Sequence, residues 1–140
     1  MGLLDKIKFH AWDNVGSVVT LIEHWQPTGC KTEKDCEKSL IAFLRAELPG
    51  VTITPQYANG RMKADLLVGG KVFVEIKKDL KTTSACQRLV GQLSEYSEWK
   101  GRILVLLVGE TDPDLKMSLD KTISKLNVDL EPKFTLFVKA

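Results

Sequence analysis

Three residues within the stretch ADLLVGGKVFVEIKK, residues 64–78, carry side chains able to act together: Asp65, Glu75 and Lys77. A Glu and a Lys two residues apart on a strand point the same way, because side chains alternate across the pleat. Asp65 joins them only in the right hairpin register, since a slip of one residue turns every side chain to the other face. A two-residue Gly69-Gly70 loop would pair Asp65 with Val74. A three-residue loop over 69–71, with a glycine in the left-handed region, pairs Val68 with Val72 and Asp65 with Glu75. That second register is expected. It gathers Ala64, Leu66, Val68, Val72, Val74 and Ile76 on one apolar face and leaves Asp65, Leu67, Phe73, Glu75 and Lys77 on the other.

A fourth candidate is Glu37, which falls inside the helical stripe formed by Leu40, Ile41, Leu44 and Leu48. A carboxylate on an apolar face reaches the rim, pairs with a cation or binds a metal, because burying it alone is costly. Glu33 shares that face, but its place in the first helical turn is accounted for by the helix dipole. Asp65 and Glu75 opposed across two strands, with Glu37 reaching in from a covering helix, make a hard-oxygen site suited to Mg²⁺ or Mn²⁺. Lys77 beside such an ion would orient an attacking water or stabilise the extra charge of a five-coordinate phosphorus. The chemistry expected of this set is phosphodiester hydrolysis.

Elements able to position these groups follow from periodicity. Val15, Val18, Val19, Ile22 and Trp25 predict a helix over about 13–25, ended by Gln26-Pro27-Thr28-Gly29. Thr32 and Asp35 resemble a capping box, opening a helix that runs to Leu48 before Pro49-Gly50. Strand-like runs over 51–57, 62–68 and 72–77 are separated by Asn59-Gly60 and Gly69-Gly70 and predict a meander. A helix from Thr82 or Thr83 to about Trp99 follows, and the continuous apolar run over 102–108 marks a strand buried on both faces. Asp112-Pro113 starts a helix to about Leu126, and residues 134–138 alternate as a last strand. From Thr32 onward the order is αβββαβαβ.

On the helix from Thr82, the expected buried stripe is Cys86, Leu89, Val90, Leu93 and Ser97, while Arg88, Gln92 and Tyr96 follow one another at i, i+4 along its flank. As a polar ridge, Arg88 could meet a phosphate, Gln92 could hydrogen-bond the site or its substrate, and Tyr96 could stack or donate its hydroxyl. A plain amphipathic flank gives the same spacing.

The chain has 140 residues, 44% of them hydrophobic, enough for one domain with a real core. No run approaches a signal peptide or a membrane span, so a soluble, cytoplasmic protein is expected. Cys30, Cys36 and Cys86 lack a metal-type pair spacing and are read as reduced thiols. The net charge is +2, but residues 61–102 hold nine Lys/Arg against five Asp/Glu, an excess of +4, while each flank is at −1. Such a local excess suits a polyanion. Arg61, Lys63, Lys78 and Lys81 stand near the site in sequence, as surface charge or as phosphate contacts.

Asp65, then nine residues, then Glu75-Ile76-Lys77 in an αβββαβ frame resembles the PD-(D/E)xK nuclease superfamily with its restriction-endonuclease-like core. The resemblance covers about residues 32–140. Glu37, in CEKSLIAFL, is similar to the first-helix acid of archaeal Holliday junction resolvases and RecB-type nucleases, and QLSEY, from Gln92 to Tyr96, resembles the QxxxY motif of the RecB-type branch. The resemblance implies an α/β fold with a mixed central sheet flanked by helices. It implies that Asp65, Glu75 and the Ile76 carbonyl hold the metal with Glu37, that Lys77 serves the water, and that Gln92 and Tyr96 position substrate. Ala64 stands where the motif has Pro, a residue that shapes the strand end and binds nothing. The expected function is a Mg²⁺-dependent nuclease acting on nucleic acid, DNA before RNA. The alternative is the same fold kept as a module that binds nucleic acid or a protein without turnover. The helix over about 13–25 lies outside the core frame, where it packs on the core or docks a second copy of the chain.

Overall fold

The computed structural model describes residues 15–59, 62–96, 99, 101–127 and 133–139. Its elements run in the order α1 (Val15–Glu23), α2 (Glu33–Glu47), β1 (Ile53–Asn59), β2 (Met62–Val68), β3 (Val72–Lys78), α3 (Thr83–Glu95), β4 (Arg102–Val108), α4 (Pro113–Leu126) and β5 (Phe134–Lys139). The expected order αβββαβαβ holds from α2 to β5. Residues 13 and 14 of the first predicted helix, Gly60 of the first predicted turn, Arg61 among the candidate phosphate contacts, and Ser97 of the predicted stripe lie outside the described residues.

The strands form one five-stranded mixed sheet in the order β1-β2-β3-β4-β5. β1, β2 and β3 are antiparallel neighbours, whereas β3, β4 and β5 run parallel. Four helices among the described residues flank this sheet, giving the mixed α/β architecture expected of a nuclease-like core. Two apolar cores lie on its two faces. Val18, Ile22, Trp25, Leu40 and Leu44 of the N-terminal helical region meet Leu66, Val74, Ile76, Leu104 and Leu106 on one side. Leu89 and Leu93 of α3 and Leu119 and Ile123 of α4 meet Phe73, Ile103, Val105 and Leu107 on the other. β4 divides its side chains between both cores, which is why its sequence is an unbroken apolar run.

Local chemistry ends these elements as the sequence implies. Thr32 and Asp35 form the reciprocal capping box of α2, and Thr82 caps α3 by accepting from the Ala85 N–H at 3.2 Å. Asp112 accepts from the N–H groups of Asp114 and Leu115 ahead of Pro113 at the start of α4. α3 stops at Glu95, earlier than the predicted Trp99, with Tyr96 as its C-cap, and the Trp99 ring stacks on Phe73 at 4.1 Å and 9°.

The β2–β3 register is the expected one: Val68 faces Val72, Leu67 faces Phe73 and Leu66 faces Val74. The three-residue loop that sets it needs positive φ at Gly69 and Gly70, +60° and +71°, a region open to glycine at no steric cost. One face assignment changes. Ala64, expected with Leu66 on the α2 side, belongs to the opposite core with Leu67 and Phe73. β1 shows the same break, since Ile53 lies in the α2-side core and Tyr57 packs against the other. Both breaks fall at Gln56 and Asp65, the two residues that the β1–β2 ladder skips, where Gln56 has φ +50°. The pairs Pro55↔Leu66 and Tyr57↔Ala64 keep one register on either side, so no residue is inserted. A single left-handed residue rotates the outer half of the hairpin and reverses its faces.

Candidate functional site

The site is a notch in the sheet. β2 pairs with β1 on both sides of Asp65, over 62–64 and 66–68, but its pairing with β3 stops at Leu66↔Val74. The next facing residues in that register are Asp65 and Glu75. Instead of continuing the ladder, Asp65 presents its side chain to β3, and Oδ2 accepts the Ile76 N–H at 2.6 Å. The carboxylate therefore occupies the place of a backbone acceptor between two separating strands.

Glu75 is 3% exposed and lies beside this group. Its Oε2 is 3.5 Å from Lys77 Nζ, and its Oε1 is 2.9 Å from the Tyr96 hydroxyl. That hydroxyl also meets the Lys63 carbonyl, so Tyr96 spans the opening between β2 and β3. One hydroxyl proton serves one acceptor at a time. Glu75 Oε1 and the Lys63 carbonyl both lie within reach of it, so the phenol can turn its proton to either. Burial, then the charge of Asp65, pushes Glu75 up to about 7 against the opposing effects of Lys77 and Tyr96. Burial raises Asp65 to about 6, with the Ile76 N–H opposing and the charge of Glu37 adding to the rise. Tyr96 is itself raised by burial and by Glu75, which keeps its hydroxyl a donor.

Glu37 is 5% exposed and approaches from α2. Gln56 Nε2 donates to both of its oxygens at 2.8 Å, and the exposed Lys34 amine stands 3.8 Å away. Its charge acts on Asp65, as does that of Glu33, whose Oε2 accepts the Lys78 N–H at 3.1 Å. Asp65 thus feels the charges of Glu37, Glu33 and Lys77, and Glu75 those of Asp65 and Lys77. Among the described residues, however, no three His, Cys, Asp or Glu side chains are grouped tightly enough to form a ready metal cage. Glu37 and Glu75 are each drawn toward a partner of their own, Gln56 and Tyr96.

The remaining expected residues are more dispersed. Ile76 has its side chain in the α2-side core, and its N–H holds Asp65. Lys78 pairs with Asp79 at 2.6 Å, and Lys81 with Glu110 at 2.9 Å. Arg88 is exposed on α3. Gln92 Oε1 is buried without a hydrogen-bond partner among the described residues. Tyr96, expected at the substrate surface, is 1% exposed and turned inward onto Glu75. Cys30, Cys36 and Cys86 are free thiols, as expected. Gln56 was not legible in the sequence, because its part depends on a left-handed backbone that nothing in Pro55-Gln56-Tyr57 announces.

The donor set fits a hard divalent cation. Half-buried Asp65 and buried Glu75 are adjacent carboxylates whose repulsion is offset by a single amine, and a cation between them would relieve it.

No protein-family model matches the chain, and no curated protein matches it. Among solved structures, it is similar to SfsA from Pyrococcus furiosus in complex with Ca²⁺, with 18% identity and a TM-score of 0.46. The similarity covers 75% of this chain and 54% of the SfsA chain, so this chain spans about half of that protein's length. No helix among the described residues is long and apolar enough to cross a membrane.

Proposed function

We propose that the chain is a divalent-metal-dependent nuclease that hydrolyses phosphodiester bonds, with DNA as the expected substrate. The observation that carries this reading is the pair of carboxylates at one break in the sheet, half-buried Asp65 and buried Glu75, with Lys77 Nζ 3.5 Å from Glu75. Asp65, Glu75 and the Ile76 carbonyl would hold Mg²⁺ or Mn²⁺, with Glu37 supporting from α2. When bound, such an ion makes a water a stronger nucleophile and stabilises charge on phosphorus.

The chain's own residues supply the rest. Lys77, with a side chain 20% exposed, is held near Glu75 yet open to solvent, a place from which its ammonium orients water or neutralises a phosphoryl oxygen. Tyr96 holds Glu75, and the Ile76 N–H holds Asp65, so both carboxylates are fixed before substrate arrives. The excess of Lys and Arg over residues 61–102 favours approach of a polyanion.

A panel of linear, circular, single-stranded, branched and RNA substrates in Mg²⁺, Mn²⁺ or EDTA tests the reading. Cleavage that needs the metal and disappears in Asp65→Ala and Lys77→Ala, both still folded, is expected. Cleavage that survives either substitution in metal-free buffer would contradict it. A second reading, a nucleic-acid-binding module without turnover, is favoured by the lack of a ready three-carboxylate cage among the described residues. Calorimetric titration with Mn²⁺ separates the two, since salt-sensitive DNA binding with no metal uptake belongs to the module.

A further inference from the structure

We infer that Gln56 is a positioning residue of the site, holding Glu37 toward Asp65 through its amide and shaping the notch through its backbone. The inference rests on the proposed nuclease reading and extends it to a residue outside the recognised motif.

Three observations converge on this position. Gln56 Nε2 donates to both oxygens of Glu37 at 2.8 Å, and the nearby cation, the Lys34 amine, stands at 3.8 Å on a side chain 60% exposed. The direction of the buried Glu37 carboxylate is therefore set chiefly by one amide. Gln56 also has φ +50°, a region that non-glycine residues seldom occupy and that persists only where the surroundings impose it. Finally, Gln56 and Asp65 are the two residues that the β1–β2 ladder skips, between Pro55↔Leu66 and Tyr57↔Ala64, at the point where both strands reverse their faces. Asp65 is thereby turned out of the ordinary alternation and into the gap beside β3.

Folding alone does not account for the choice of Gln here. The residue is exposed, so its packing contributes little, and Gly would adopt the same backbone with less strain. What Gln adds is a donor long enough to reach α2 and hold an acid there. Groups that orient a metal-binding residue commonly affect affinity or turnover as much as some ligands do.

The test compares Gln56→Gly, Gln56→Glu and Gln56→Arg with wild type by steady-state cleavage of the best DNA substrate in Mg²⁺ and by thermal unfolding in EDTA. Gly keeps the backbone and removes the donor, Glu replaces the donor with a like charge, and Arg restores a donor. Expected is a loss of about tenfold or more in kcat for Gly and Glu, with KM changed less than about threefold, and recovery of most of kcat in Arg. The Gly variant should melt within a few degrees of wild type, because relief of the left-handed backbone at position 56 offsets the donor lost to Glu37. Wild-type kcat in Gln56→Gly, or a loss of kcat that tracks a fall in melting temperature, would overturn the inference while leaving the proposed function standing. A wild-type protein that cleaves no substrate with any metal would overturn both.

Discussion

The Tyr96 hydroxyl lies 2.9 Å from Glu75 Oε1 and meets the Lys63 carbonyl, joining a helix to both strands where those strands part. A buried phenol in that position serves the acid rather than the solvent. Tyr96→Phe removes a donor shared by the two strands at this point while keeping the ring packed against Phe73. Unfolding in EDTA should show a loss of about 1–3 kcal/mol, the usual cost of leaving buried acceptors unsatisfied. Because Tyr96 opposes the rise of Glu75, the pH at which Mn²⁺ binding is half-maximal should also move upward. A variant as stable as wild type, with the same pH midpoint, would deny Tyr96 this part.

The two raised carboxylates set a pH dependence of stability whose sign is fixed. Glu75 at about 7 and Asp65 at about 6 bind protons more tightly in the native state than in the unfolded chain, where they titrate near 4.5 and 3.8. Below about pH 3 both states are protonated and neither group matters. From there to about pH 7 the unfolded chain has released protons that the native state retains, so stability falls as pH rises. The full penalty, on the order of 3 kcal/mol for one group, is present above pH 7. In EDTA the wild type should therefore lose stability between pH 5 and 8. Asp65→Asn and Glu75→Gln, which keep an acceptor for the Ile76 N–H and the Tyr96 hydroxyl, should be more stable than wild type at pH 8. Scanning calorimetry across that range decides it; variants that melt lower than wild type at pH 8 would count against the assigned shifts.

Divalent metal should reverse the same penalty. Binding requires both carboxylates ionised, so Mn²⁺ affinity should rise from pH 6 to pH 8 and protons should be released on binding. At a free concentration about a hundredfold above Kd, the gain in stability should be about 2.7 kcal/mol. Asp65→Asn should abolish that gain. Calorimetry in buffers of different ionisation enthalpy measures both heat and protons, and pH-independent binding would contradict the expectation.

Lys77 contributes charge at the site, and the fold makes little use of it. Its side chain is one-fifth exposed and its recorded partner is Glu75, so Lys77→Met should unfold within a few degrees of wild type while kcat falls about a hundredfold or more. Removing the cation also deprives Asp65 and Glu75 of the amine that holds their pKa values down, so metal binding should require a higher pH. Unchanged turnover would remove Lys77 from the chemistry.

Much of this arrangement was legible in the residues because it depends on periodicity and parity. The three-residue Gly69–Lys71 loop follows from the need to put Val68 opposite Val72, and Glu37 stands out as an acid inside an apolar stripe. Ala64, Gln56 and Tyr96 were harder for a common reason. Alternation assumes that a strand stays in the β region, and the left-handed Gln56 breaks it for β1 and β2 together, carrying Ala64 to the other core. The i, i+4 spacing that placed Tyr96 with Arg88 and Gln92 was right about the helix but silent about its rotation, and the helix ends by turning Tyr96 into the sheet. Lys78 looked like a phosphate contact by proximity in sequence, yet strand alternation and its neighbour Asp79 direct its amine elsewhere.

The most direct measurement is anomalous diffraction from crystals soaked in Mn²⁺ at pH 8. The expected result is a manganese peak at about 2.0–2.3 Å from carboxylate oxygens of both Asp65 and Glu75, absent from Asp65→Asn crystals treated alike. A notch that stays empty at saturating Mn²⁺, or a peak bound elsewhere, would contradict the claim that these two acids hold the ion.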